Sequence, residues 1–140
     1  MAELSQAELD MIESESVAAQ AVGFADKIRA IQNPTITAYA SDGAISFANP
    51  YNIAKLTKGS AGAYTLAAPT AAQEGYRLLI IGQSAYAHVV TATNLLDDGV
   101  TGGAKDTATF GAFVGTSLDL IAINLKWHVV GKNVVTIAAV

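Results

Sequence analysis

With 140 residues and no cysteine, the chain has neither disulfides nor a thiolate metal site to draw on, yet at this length one domain can bury about 68–70% of its unfolded surface. Its composition is 51% hydrophobic and 14% charged, but no apolar run nears the roughly 18 residues of a membrane helix, and the N-terminus is acidic where a signal peptide is basic, so a soluble protein made in the cytosol is expected. Residues 1–26 hold six carboxylates and no Lys or Arg, while the rest has eight basic and six acidic side chains; with no basic stripe to displace counterions, nucleic acid is a poor partner.

The first element is a helical arm over residues 1–33. Ser5 and Glu8 fit a capping box, and Leu4 and Leu9 occupy the positions of a hydrophobic staple. The carboxylates that follow suit the positive end of a helix dipole. Val17, Ala21, Phe24, Ile28 and Ile31 are spaced 4, 3, 4 and 3 apart, an a/d-like stripe, with Leu9 and Ile12 off that register. Such a stripe packs on a symmetry mate or on the protein's own sheet. Asn33-Pro34 ends the helix, because proline disfavours the α region in its predecessor. About 26 helical residues at roughly 1.5 Å each would reach close to 40 Å. From this arm, Leu4, Leu9, Ile12, Val17, Phe24, Ile28 and Ile31 are the candidate partner-binding residues.

From Pro34 the period changes to two, and residues 34–140 are expected to form a β-domain. Residues 35–40 and 44–47 flank Ser41-Asp42-Gly43, which predicts a hairpin. Residues 52–58 fit a strand or a helical turn equally well, and 59–62 form a Gly-rich break. Strands follow at 63–66, 77–81, 87–91 and 107–110, and the four large aliphatics at 78–81 suggest coverage on both faces. Leu118, Leu120 and Ala122 alternate with Asp119, Ile121 and Ile123 ahead of an Asn124-Leu125 break and a run at 127–130, which predicts a second hairpin; a last strand covers 134–137. Roughly eight short strands without βαβ alternation make a mainly β fold, a small antiparallel β-sandwich or barrel preceded by the N-terminal helical arm.

Little in these strands is equipped for chemistry. His88 and His128 have no His, Cys or carboxylate at ligand spacing in the sequence, and nothing nearby is set to activate Ser84, whose Gly82-Gln-Ser-Ala-Tyr86 setting lacks the final glycine of a nucleophile elbow. Asp97, Asp98 and Asp106 share one Gly-rich stretch without the EF-hand pattern, and Gly102-Gly103 lacks the Lys-Ser/Thr of a phosphate loop. Trp127 is either core or a carbohydrate platform. Binding without turnover is expected, with no catalytic residue, metal or cofactor.

The order Ala63-Tyr-Thr-Leu-Ala-Ala-Pro69, Glu74-Gly75, Ala87-His-Val-Val-Thr91, Ala108-Thr-Phe110, Gly115-Thr-Ser-Leu-Asp-Leu120 and Trp127-His-Val-Val130 resembles a β-domain of tailed-bacteriophage virion structural proteins, most closely the small capsid decoration, or cement, proteins. One departure is Asn124-Leu125, where such sequences often have Asn-Gly; leucine resists the positive φ of a tight turn. The resemblance implies a homotrimer or other oligomer bound to the major capsid protein on the outside of the head, stabilising the lattice, with the arm as an anchor. A fibre, neck or baseplate component, or a carbohydrate-binding β-module, is the alternative.

Overall fold

The computed structural model describes residues 33–140; the expected helical arm, its cap, its stripe and all seven candidate partner-binding residues lie outside them. Ten strands follow: β1 (Thr35–Tyr39), β2 (Gly43–Ala44), β3 (Tyr51–Leu56), β4 (Ala63–Thr65), β5 (Arg77–Gly82), β6 (Val89–Asp97), β7 (Lys105–Phe110), β8 (Ser117–Ile123), β9 (Lys126–Asn133) and β10 (Val135–Ala138). They belong to one barrel-like sheet that forks at β6. One wing runs β1-β3-β5-β8-β9, the other β2-β4-β6-β7-β10, and β6 joins β9 through Leu96↔Trp127 and Asp97↔His128.

Each wing is apolar on one face because its strands alternate with period two. Ala54, Leu56, Leu78, Ile80, Leu118, Leu120, Ala122 and Trp127 from the first wing meet Tyr64, Val90, Ala92, Leu96, Ala108, Phe110 and Val135 from the second in a single core. Trp127 is fully buried, with its indole N–H donated to the Ala67 carbonyl at 2.9 Å and its ring edge-to-face with Phe47. At roughly 25 cal/mol per Å² of apolar area, a buried aromatic of this size is among the largest single contributors to the core.

The expected antiparallel sheet is a mixed one. Through β6 the chain places successive strands in opposite wings, so β1, β3 and β5 become parallel neighbours in one wing and β2, β4 and β6 in the other. Parallel pairing usually needs a helical crossover; here the crossover is a strand of the facing wing. For the same reason residues 35–47 make no hairpin. Ser41-Asp42-Gly43 carries the chain across the core, and β1 pairs with β3 while β2 pairs with β4. The ambiguous residues 52–58 are mostly β3. The aliphatic run at 78–81 is fully buried only through Leu78 and Ile80, with Leu79 and Ile81 half-buried on the outer face.

The 117–130 hairpin forms as expected, β8 against β9 from Ile123↔Lys126 to Ser117↔Asn133. Its two-residue turn has Asn124 at φ 52° and Leu125 at φ 62°, so the leucine accepts the left-handed conformation that a primed turn requires. The Glu74 carboxylate accepts the Asn124 amide at 3.1 Å, and the Gly75 amide donates to Ala122 at 2.7 Å. These contacts tie the hairpin end to the segment entering β5.

Candidate functional site

Two kinds of surface could serve a function, a polar corner around His88 and an apolar patch around Val134. The corner is built by three connections. Residues 57–62 leave β3 for β4, residues 83–88 leave β5 for β6, and residues 40–42 leave β1 for β2. His88 is fully buried where they meet. Its Nδ1 accepts the Gly62 amide at 3.0 Å, and its Nε2 lies 2.8 Å from Ser84 Oγ, which donates to the Lys58 carbonyl at 2.6 Å. Because the serine has one hydroxyl proton and spends it on Lys58, the ring N–H at Nε2 is the donor to Ser84. The imidazole is therefore neutral and in the Nε2–H form.

The sequence showed no group set to activate Ser84 or His88, and the structure adds the contact that joins the two. The two are four residues apart in a turn whose backbone bonds, Tyr86 N–H to Ser84 O and His88 N–H to Tyr86 O, bring the side chains together. The pair is not poised as nucleophile and base, since Nδ1 already accepts a backbone proton and Nε2 donates toward the hydroxyl. It works as a clamp joining the two connections. Burial, and secondarily the Lys58 cation, hold the His88 imidazole below the ordinary histidine range.

The other chemical candidates are placed apart. His128 does have a carboxylate neighbour, Asp97 across the β6–β9 pair, 3.3 Å from Nε2 to Oδ2 and partly exposed. Asp106 is drawn into β7, where it accepts the Asn94 amide at 2.7 Å inside the β6 bulge and the Val140 amide at 2.8 Å. These two backbone N–H bonds hold its carboxyl below the usual carboxylate range. Asp98 accepts the Val100 amide at 3.1 Å. The three aspartates thus serve backbone groups and a neighbouring histidine, and among the described residues no three His, Asp or Glu converge as metal ligands. Asp42 binds Lys58 Nζ at 2.7 Å and the Ala63 amide at 2.9 Å, and the Lys58 bond is first among the causes that lower its carboxyl. Trp127, being buried, offers no ring to a sugar.

The apolar patch lies at the β7–β8 connection and the β9–β10 junction. Phe113 is 66% exposed, Val114 64% and Val134 56%. Val134 lines a groove of about 490 Å³ together with Ala87, Phe110, Gly111, Lys132 and Thr136, among others. Val134 stands at φ 54°, an outlier for a β-branched residue that costs on the order of 1–3 kcal/mol. The strain places a valine in solvent, where it contributes nothing to the core. Such an exposed, strained apolar side chain fits a surface that another molecule covers. Sequence reasoning missed this patch because Val134 reads as the ordinary start of the last strand, and Phe113 and Val114 fall in the connection between two others. The clue was Gly111, which leaves room for the valine.

The described residues balance six Lys and Arg against six Asp and Glu, and none of their helices is long and apolar enough to cross a membrane. No family model and no curated protein matches the chain.

Proposed function

We propose that the protein is a capsid decoration protein of a tailed bacteriophage, binding the exterior of the head as a homotrimer and stabilising the lattice of the major capsid protein. The order of residues 63–130 supports this reading, and the observation that carries it is the exposed Phe113–Val114–Val134 patch. Large apolar side chains held in solvent, one of them at a strained backbone, gain free energy when a partner covers them, at about 25 cal/mol per Å² buried. A near-neutral body with such a patch suits contact with a protein surface better than contact with a polyanion.

The mechanism requires no turnover. A ligand that binds only the assembled lattice raises the free energy needed to separate its subunits, and several linked contacts multiply the effect without covalent change. The acidic N-terminal residues add a further contact by reaching a neighbouring subunit. The test is to add the protein to undecorated capsids and image them: ordered trimeric density on the outside supports the reading, and absence of binding at saturating protein rejects it. A fibre, neck or baseplate component would instead be found at the tail or portal. The carbohydrate reading loses its platform with Trp127 in the core.

A further inference from the structure

We propose that His88 is an acid-sensitive latch: uptake of a proton from solvent at Nδ1 breaks the bond from the Gly62 amide and frees residues 59–62 from residues 84–88, while the two-winged core stays folded. The geometry carries this independently of the capsid reading. The neutral ring satisfies every group around it, since Nδ1 accepts from Gly62, Nε2–H donates to Ser84 and the Ser84 hydroxyl donates to Lys58. A proton on Nδ1 would face the Gly62 N–H, two donors opposed at 3.0 Å. Among the described residues, the hydrogen bond made at Nδ1 comes from that amide donor. The only relief is for the Gly62 amide to move away, and the adjoining Val89 N–H to Gly62 carbonyl bond of 2.8 Å goes with it.

Around the ring the Lys58 cation opposes protonation, the tyrosines are neutral, and the Asp42 carboxylate is bonded to Lys58. From the β3–β4 connection comes the Lys58 cation, paired with Asp42 of the β1–β2 connection. From β4 comes the Tyr64 ring, edge-to-face with the imidazole at 5.9 Å, its phenol raised by burial and then by Asp42. The β5–β6 connection adds only the Tyr86 phenol, β7 contributes the apolar Phe110, whose amide bonds the His88 carbonyl at 2.8 Å, and Lys132 stands across the groove that Ala87 and Phe110 line. Among the described residues, no carboxylate bonds the ring to stabilise its charged form.

The direction follows. A histidine whose native value is depressed favours the neutral state, so its contribution is complete above about pH 6.5 and is lost as pH falls through the unfolded value toward the native one. The Lys58–Asp42 link persists over this range because the Asp42 carboxyl is held low. Opening is thereby confined to residues 59–62, of which 59–61 are exposed and Gly62 is buried.

The test is nitrogen-15 NMR of the full chain. At pH 8 the His88 ring should show the Nε2–H form. Between pH 7.5 and 5.5 the Gly62 amide should lose at least tenfold in hydrogen-exchange protection, after correction for the intrinsic rate, while the Leu118 and Leu120 amides keep theirs. In His88→Asn, whose side-chain oxygen can accept the Gly62 amide, the pH response should vanish. An Nδ1–H ring at pH 8, or Gly62 protection unchanged to pH 5, would overturn the latch without needing any variant, and neither result bears on capsid binding.

Discussion

Gly111 and Val134 are fitted to each other: the Gly111 amide donates to the Val134 carbonyl at 2.9 Å, and a Cβ on residue 111 would stand 2.6 Å from Val134 Cγ1. Gly111→Ala therefore forces the strained β9–β10 junction to move. It should destabilise the protein by about 1–3 kcal/mol, read as a lower urea midpoint with an unchanged slope.

Val134→Gly separates stability from binding. It relieves the positive φ, worth about 1–2 kcal/mol, and forfeits roughly 0.5–1 kcal/mol of backbone entropy. The folded state should hold within about 1 kcal/mol of the parent while occupancy on capsids falls. Wild-type occupancy by a stable Val134→Gly protein would show that the valine faces nothing.

The β8–β9 turn makes a similar prediction without any effect on binding. Leu125 sits at φ 62° and is 52% exposed, so Leu125→Gly removes strain from a side chain that packs little. The resulting Asn-Gly turn is the preferred two-residue type, and the protein should gain up to about 1 kcal/mol, measured as a higher thermal midpoint.

The elements most legible in the sequence were those governed by local pattern. The β8–β9 hairpin and the alternation of Leu118, Leu120 and Ala122 follow from period two, whereas Trp127, open between core and platform, is decided by its burial. The pairing of β1 through β6 was not legible, because Ser41-Asp42-Gly43 reads equally as a hairpin turn or as a crossing between wings, and only the facing wing decides between them. The Ser84–His88 clamp was hidden for a related reason. Its third member, Gly62, lies 26 residues away from His88, and a buried backbone amide leaves no mark on composition.

Asp106 gives a prediction in acid. Its carboxylate accepts two backbone amides and is held low, so the stabilisation is present above the ordinary aspartate range and is lost as pH falls through the depressed native value. Asp106→Asn should lower the thermal midpoint at pH 7, and that difference should shrink as the parent carboxylate is protonated. A constant difference down to pH 2 would contradict the assignment.

Deletion of residues 1–16 removes five of the six carboxylates of the acidic N-terminal region. The β-domain should remain folded by circular dichroism while capsid occupancy drops, with a larger loss at low than at moderate ionic strength if carboxylates make the contact. Equal occupancy by truncated and full-length protein would remove the anchoring role, and an unfolded product would place those residues in the core.

Occupancy of undecorated capsids by wild-type protein and by Phe113→Asp, imaged by electron microscopy, decides whether the Phe113–Val134 patch docks on the head. A charge placed at the most exposed aromatic of the patch leaves the core untouched but opposes burial against a partner. Ordered wild-type trimers on the head exterior with the Phe113–Val134 face against major capsid protein, together with at least a tenfold loss of affinity for Phe113→Asp, are the predicted result. Bare capsids, or bound protein with that face turned to solvent and Phe113→Asp binding as well as wild type, would contradict it.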